Sequence, residues 1–225
     1  MIPLNIVTFY HDIRTIPENM KNNYDKLVSN NPEFTCHLYD NNSSYEFIKT
    51  HFDTDVLEAF QKLKPYSYKS DLFRFCYIYI NGGIYVDIKY NCVDDFRFIQ
   101  LVNKEYLVSE PLGIQTCLII LKPNNQLLLN CIHNIVKNTR EHFYSFTPLW
   151  TGPYLLSEQY KILYNDDSIK IDRELLWNIS DHMQYITLNN TTILKQYPSY
   201  RDDLHRNSDQ PHYTVMFWNK DIFNI

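Results

Sequence analysis

Glycine is scarce in this chain, with four among 225 residues, and two of the four stand together as Gly82-Gly83. A doubled glycine in a sequence that otherwise avoids it marks a backbone position closed to any side chain. Cysteine is sparse and unpatterned: Cys36, Cys76, Cys92, Cys117 and Cys131 are odd in number and show no C-x-x-C spacing. That argues against a disulfide framework and against spaced zinc ligands, and buried, reduced thiols are expected. No apolar run reaches the ~20 residues of a membrane-spanning helix, and with a strand expected from residue 2 no secretory leader is expected. The expected location is cytoplasmic, meaning host cytoplasm or virion if the protein is viral. Basic runs are missing too. With 21 Lys and Arg against 26 Asp and Glu, a net charge of −5, nucleic acid is not the expected partner. No P-loop and no Ser-His-Asp arrangement is present.

What the chain does have is apolar and aromatic mass. Hydrophobic residues make up 44%, enough for a packed core in one domain spanning 1–225. Tyrosine alone contributes 19 residues. Its flat apolar face and polar tip suit sugar and base rings. The Asn-, Ile-, Lys- and Tyr-rich usage also fits an AT-rich genome, such as that of a giant virus or a low-GC microbe.

Strands are expected at Ile2–Tyr10, Phe34–Tyr39, Ile84–Lys89, Tyr106–Ser109 and Thr116–Lys122, with late strands at Met183–Leu188 and His212–Trp218 closing the sheet. Helices are expected at Pro17–Asn30, 43–51, 55–63, from Pro65 to Gly82, at Gln126–Lys137 and after Pro153. Asp202, Asp203, His205 and Arg206 read as an exposed loop placed to act as a lid. Alternating strands and helices in the first half give an α/β fold with parallel pairs.

The segment from Lys69 to Lys89 concentrates the chemistry. Tyr68, Leu72, Phe75, Cys76 and Tyr79 form one apolar helical stripe, and Phe73, Tyr77 and Ile78 fill most other faces. A helix apolar nearly all round is buried, so Asp71 and Arg74 are charges inside the protein or lining a cleft. A simple i,i+3 ion pair is one reading. Desolvation makes such a pair a poor source of stability, which turns attention to function. After Gly82-Gly83, the period-2 rule puts Ile84, Val86 and Ile88 on one face and Tyr85, Asp87 and Lys89 on the other. An acid at the carboxyl end of such a strand lies where α/β sheets bind ligands.

This block, Ser-Asp-x-x-Arg, a hydrophobic helix, Gly-Gly-Ile-Tyr-Val-Asp, resembles the signature of the DXD sugar-binding retaining glycosyltransferases. These are glycosyltransferase family 32, which includes the yeast initiating α-1,6-mannosyltransferase; clostridial glucosylating toxins share the arrangement. Asn31-Pro32-Glu33-Phe34, Trp150-Thr151-Gly152-Pro153 and the pair His212 and Trp218 resemble further family elements in order. The resemblance implies a GT-A-type fold, a Rossmann-like mixed sheet flanked by helices. It implies a nucleotide-sugar donor, a UDP-sugar before GDP-mannose, and transfer with retention to a glycan or protein acceptor. It places Asp71, Arg74 and Asp87 at donor hydroxyls and phosphates, with Gly82, Gly83 and Tyr85 beside them. Phe9, Tyr10 and His11 fall at the base-binding end of the first strand, and Thr151, Gly152 and Pro153 on the acceptor side. With no evident covalent nucleophile, front-face displacement is the expected mechanism.

One position departs from the pattern. The last family aspartate, normally a metal ligand, is Lys89. One reading makes its ammonium a stabiliser of the departing diphosphate and weakens any metal requirement. An ion pair at ~4 Å gains about 4 kcal/mol at an effective dielectric of 20, before desolvation. A second keeps Mn²⁺ or Mg²⁺ on Asp87, His212 and diphosphate oxygens. A third makes the chain an inactive nucleotide- or sugar-binding module. Thr151 is equally a helix cap; Trp218 is placed to cover the donor, but a buried core tryptophan is the default expectation.

Overall fold

The computed structural model describes residues 1–94, 96–110, 113–142, 151–164, 174–178 and 183–224. Strand β1 (Asn5–Phe9) runs parallel to β2 (Thr35–Tyr39) and to β3 (Gly83–Val86). Strands β5 (Tyr106–Glu110) and β6 (Gly113–Leu121) join antiparallel, giving the order β2-β1-β3-β6-β5. A second sheet, wholly antiparallel, has the order β4-β9-β8-β7: β4 is Tyr90–Cys92, β7 Glu174–Asn178, β8 Met183–Leu188 and β9 Thr191–Gln196.

Helices cover the central sheet. Helix α1 (Glu18–Asn30) follows Pro17, and α2 (Asn41–His51) starts from a reciprocal capping box of Asp40 and Ser43. Helices α3 (Thr54–Lys62), α4 (Tyr66–Asn81), α5 (Gln126–Arg140) and α6 (Pro153–Tyr164) build the large core with one sheet face. The other face packs Ile84, Val86, Leu118 and Ile120 against Ile186, Ile193 and Leu194 of the second sheet. Ten residues of α4, from Tyr68 to Ile78, are buried, as its all-round apolar pattern requires. Its stop is Gly82, at φ +63°, and Gly83 follows at φ +103°. A Cβ on Gly83 would lie 2.6 Å from the Asn5 carbonyl oxygen, so the β1–β3 pairing itself demands glycine there.

Three expectations are corrected. Residues 213–218 form helix α8 (Tyr213–Trp218) with His212 as its N-cap, not a strand. The aromatic and β-branched run suggested a strand, but the cap and the packing of Met216 and Phe217 decide for a helix. Met183–Leu188 is a strand, yet it belongs to the second sheet and does not close the central one. The segment read as an exposed loop is helix α7 (Tyr200–Asn207). All five cysteines are unpaired, and four are buried. Among the described residues no helix is long and apolar enough to cross a membrane.

Lys69, in the first turns of α4, donates to the Phe60 carbonyl at 2.9 Å and lies 4.6 Å above the Phe60 ring. Burial pulls its ammonium from 10.5 down to about 8. The folded protein therefore holds fewer protons than the unfolded chain between those values, so stability rises with pH from about 8 to 10.5, and the cost of the buried ammonium is fully present below about 8. Relative to Lys69→Met, wild type should gain on the order of 1–3 kcal/mol between pH 7.5 and 9.5, read from urea melts at each pH. A pH-independent gap would sink this account of Lys69.

Candidate functional site

The carboxyl ends of the parallel strands β1 and β3 open beside the N-terminal half of α4. Helix geometry sets Asp71 and Arg74 on one face, three residues apart. Strand β3 ends at Val86, three residues short of the expected strand, because Asp87 opens a turn: its carbonyl accepts from Tyr90 N at 3.0 Å. The Asp87 amide donates to the Cys117 carbonyl on β6 at 2.9 Å, which fixes the turn to the sheet.

Four charges converge there. Arg74 Nη2 lies 3.4 Å from Asp71 Oδ1, and Arg74 Nη1 lies 3.4 Å from Asp87 Oδ1. Lys89 Nζ lies 3.2 Å from Asp87 Oδ2. Side-chain exposure rises across the set, from 7% at Arg74 and 11% at Asp71 to 22% at Asp87. The Asp87 end thus faces the exterior and the Arg74 end the core. Arg74 is anchored by its own chain: Nε donates to Ser70 O (3.1 Å), Nη1 to Thr116 O (2.7 Å) and Oγ1 (3.0 Å), and Nη2 to Ser70 Oγ (2.7 Å). Its guanidinium stacks 4.3 Å above the Tyr85 ring. Ser70 Oγ and Tyr85 Oη are 3.1 Å apart, and Tyr85 donates on to Asp87 Oδ1 at 3.0 Å.

The electrostatics follow this burial. Burial raises the Asp71 carboxyl above its ordinary range, against the opposing pull of Arg74 and of the Thr151 hydrogen bond. Burial works to lower Lys89, yet Asp87, Tyr200 and Cys117 together hold it above the usual lysine value, so it stays an ammonium. Tyr200 on α7 interacts electrostatically with Lys89, Asp87 and Arg74, and Tyr213 on α8 with Asp71 and Lys89. Tyr200 and Tyr213 thus bring α7 and α8 near the cluster.

Other expected residues lie partly beside it and partly away from it: Gly82 and Gly83 stand where α4 gives way to β3, at the end of the strand opposite Asp87. Thr151 is buried and donates to Asp71 Oδ2 at 2.8 Å, so its hydroxyl serves the carboxylate. A Cβ on Gly152 would lie 2.6 Å from the same oxygen, and Pro153 opens α6 directly after. Trp150 lies outside the described residues. Phe9 points into the main core against Phe73, at 6.0 Å between centroids. Tyr10 is buried with Met20, Ile88 and Tyr197, and His11 stacks on Tyr66 at 4.4 Å. Trp218 is 68% exposed, so it is not the core residue expected. His212 puts its ring beside Thr214, Nδ1 to Oγ1 2.6 Å, and burial lowers its imidazole. Ser70, Thr116 and Asn23 were not singled out. Ser70 abuts Asp71 in sequence, but no local pattern marks Thr116 or Asn23, whose roles depend on partners more than 40 residues away. A groove of about 630 Å³ lined by His37, Tyr39, Phe47 and His51 lies on edge strand β2 and shares no residue with the cluster.

Residues 17–119 match the family model described as the glycosyltransferase sugar-binding region containing DXD motif. Over that region the chain is similar to DXD-type glycosyltransferases. That region contains Asp71, Arg74, Asp87 and Lys89, the whole charged cluster. The chain is 31% identical over 94 residues to an uncharacterized glycosyltransferase of Acanthamoeba polyphaga mimivirus, covering 41% of this chain and 37% of that protein. It is 24% identical over 151 residues to the mannosyl phosphorylinositol ceramide synthase of Saccharomyces cerevisiae, covering 65% and 39%. The chain thus spans less than two fifths of the length of either curated relative. Among solved structures it is similar to the PaToxG glycosyltransferase, with TM-score 0.58 and 14% identity over 73% of this chain and 70% of that one. The mixed sheet flanked by helices is a GT-A-type architecture.

Proposed function

We propose that this chain is a glycosyltransferase of one domain that takes a sugar from a nucleotide-sugar donor, a UDP-sugar before GDP-mannose, and passes it with retention to a glycan or protein. The observation that carries the reading is the placement of Asp71 and Asp87 each 3.4 Å from Arg74, beside the carboxyl end of parallel strands and inside the matched DXD-type region. In this reading the two carboxylates accept hydroxyl hydrogen bonds from the donor, charge-assisted and therefore strong. Arg74, anchored to Ser70 and Thr116, holds both in place. Tyr10 and His11 border the nucleoside end, and Thr151, Gly152 and Pro153 set the Asp71 side facing the acceptor. With no side chain placed as a covalent nucleophile in this scheme, the acceptor attacks from the face the diphosphate leaves, and a diphosphate oxygen takes the acceptor's proton.

The test is release of UDP or GDP from a panel of UDP-hexoses, UDP-N-acetylhexosamines and GDP-mannose, first without acceptor and then with labelled lysate. Slow hydrolysis of one donor, lost in Asp87→Asn, is expected. Binding of a donor with no turnover of any would instead make the chain a sugar-binding module.

A further inference from the structure

A divalent cation in a DXD-type site needs several oxygen or imidazole ligands converging at about 2.0–2.6 Å. The turn after β3 does not offer that set. Lys89 stands where the resemblance puts the second aspartate, with its Nζ 3.2 Å from Asp87 Oδ2. The other oxygen, Oδ1, accepts from Tyr85 and faces Arg74. Both oxygens of the turn's one carboxylate are therefore met by donors, and a dication beside Oδ2 would stand against an ammonium. Among the described residues no group of three or more His, Cys, Asp or Glu could hold a metal ion. His212, the other expected ligand, has its Nδ1 engaged in capping α8. The donor set and a divalent ion do not fit each other.

We propose that Lys89 is the resident cation of the donor site, meeting the nucleoside diphosphate without a metal, and that Asn23 positions it by clamping the turn. The inference rests on the donor-binding reading above. Two contrasts with Arg74 support it. The donors of Arg74 are held by Ser70 and Thr116. Lys89, by comparison, has one oxygen partner among the described residues, Asp87, which leaves N–H donors for an anion. Its side chain is also about twice as exposed as that of Arg74, 15% against 7%, and it belongs to the outer end of the cluster.

The turn is held as a preformed cation site would need. Asn23, buried on α1, donates through Nδ2 to Ile88 O at 2.8 Å and to Tyr90 O at 3.1 Å, and its Oδ1 accepts from Asn91 at 3.2 Å. Tyr197 N donates to Lys89 O at 2.9 Å. Every carbonyl from 88 to 90 is thus fixed, and the Lys89 ammonium lies 5.1 Å from the Tyr90 ring centroid. A charge oriented before the ligand arrives needs no reorganisation when negative charge grows on the leaving group.

Calorimetry with UDP and GDP, in chelator and in Mn²⁺, tests this. Wild type should bind with equal affinity in both, within about twofold. Lys89→Met should weaken binding by about thirtyfold or more in both conditions, the loss expected when one member of a buried charged contact is truncated. Lys89→Asp, which creates an acid-x-acid pair, should bind Mn²⁺ alone by electron paramagnetic resonance and regain nucleotide affinity only when Mn²⁺ is added. Asn23→Leu should weaken nucleotide binding in wild type and do nothing further in Lys89→Met, a coupling that a merely structural role would not show. Loss of wild-type nucleotide binding in chelator, or undiminished binding by Lys89→Met, overturns the Lys89 assignment and leaves the transferase reading standing. Additive effects of the Asn23 and Lys89 changes overturn the positioning role. No nucleotide binding by wild type in either condition sinks both the inference and the reading beneath it. Should Lys89→Asp fail to fold, the chelator and Lys89→Met arms decide.

Discussion

Arg74→Ala should unfold more easily than wild type by about 3–5 kcal/mol, the largest stability loss expected from a single substitution in the site. The guanidinium is buried, and its removal leaves Asp71 and Asp87 facing each other across the space it filled. It also strips partners from Ser70 Oγ, Thr116 Oγ1 and two carbonyl oxygens. The sign of the pH dependence follows. Burial already raises Asp71 while Arg74 opposes that rise. Without Arg74 the carboxyl goes higher still, so its protonation relieves the variant at acid pH. The gap between variant and wild type should be widest at pH 7 and narrow as pH falls toward 5, measured by denaturant melts. Arg74→Lys should not restore wild-type stability, because a single ammonium cannot reach Ser70, Thr116 and both carboxylates at once. A variant as stable as wild type at pH 7 would mean that the convergence of charges has no energetic weight.

Gly152→Ala should leave the fold intact and cut kcat/KM by on the order of 10²-fold, a loss typical of a reacting group displaced by about 1 Å. Gly152 does not have a positive φ, so alanine is not strained there. The added Cβ would instead lie 2.6 Å from Asp71 Oδ2, 3.1 Å from Cγ and 3.2 Å from Oδ1. Asp71 cannot retreat freely, because Thr151 holds Oδ2 and Arg74 faces Oδ1. The carboxylate must turn, and with it the hydroxyl-accepting surface offered to a donor sugar. Thermal melts beside initial rates separate the two outcomes. A cooperative melt at a moderately lower Tm, with activity lost out of proportion to it, is expected; unchanged activity would move Asp71 away from the ligand altogether.

How much of this was legible depends on how local each signal was. The block from Lys69 to Lys89 needed only a helix period, a strand period and a doubled glycine, and the charges it singled out do converge. The all-round apolar face of α4 announced a buried helix, and burial made Asp71 and Arg74 conspicuous. Where the sequence misled, distant packing overrode local preference. His-Tyr-Thr-Val-Met-Phe-Trp reads as a strand from side-chain type, but a six-residue helix buries Met216 and Phe217 and leaves Trp218 outside. The strand after Gly83 ends at Val86 because Asp87 turns back on Tyr90, an event the alternating pattern through Lys89 conceals. The second sheet was invisible as a unit, since β4 pairs with β9 across some hundred residues. Thr116 and Asn23 carry ordinary side chains in ordinary contexts, and only the partners brought to them by folding reveal what they hold.

Val86 ends β3 in the larger sheet, and Tyr90 begins β4 in the smaller. Residues 87–89 are accordingly a seam between two layers, with Lys89 O tied to Tyr197 N just beyond β9. Any molecule that grips the Lys89 side chain pulls on that stitching. On the donor-binding proposal, a ligand held by Lys89 would thereby also tie β4 and β9 more firmly to the larger sheet.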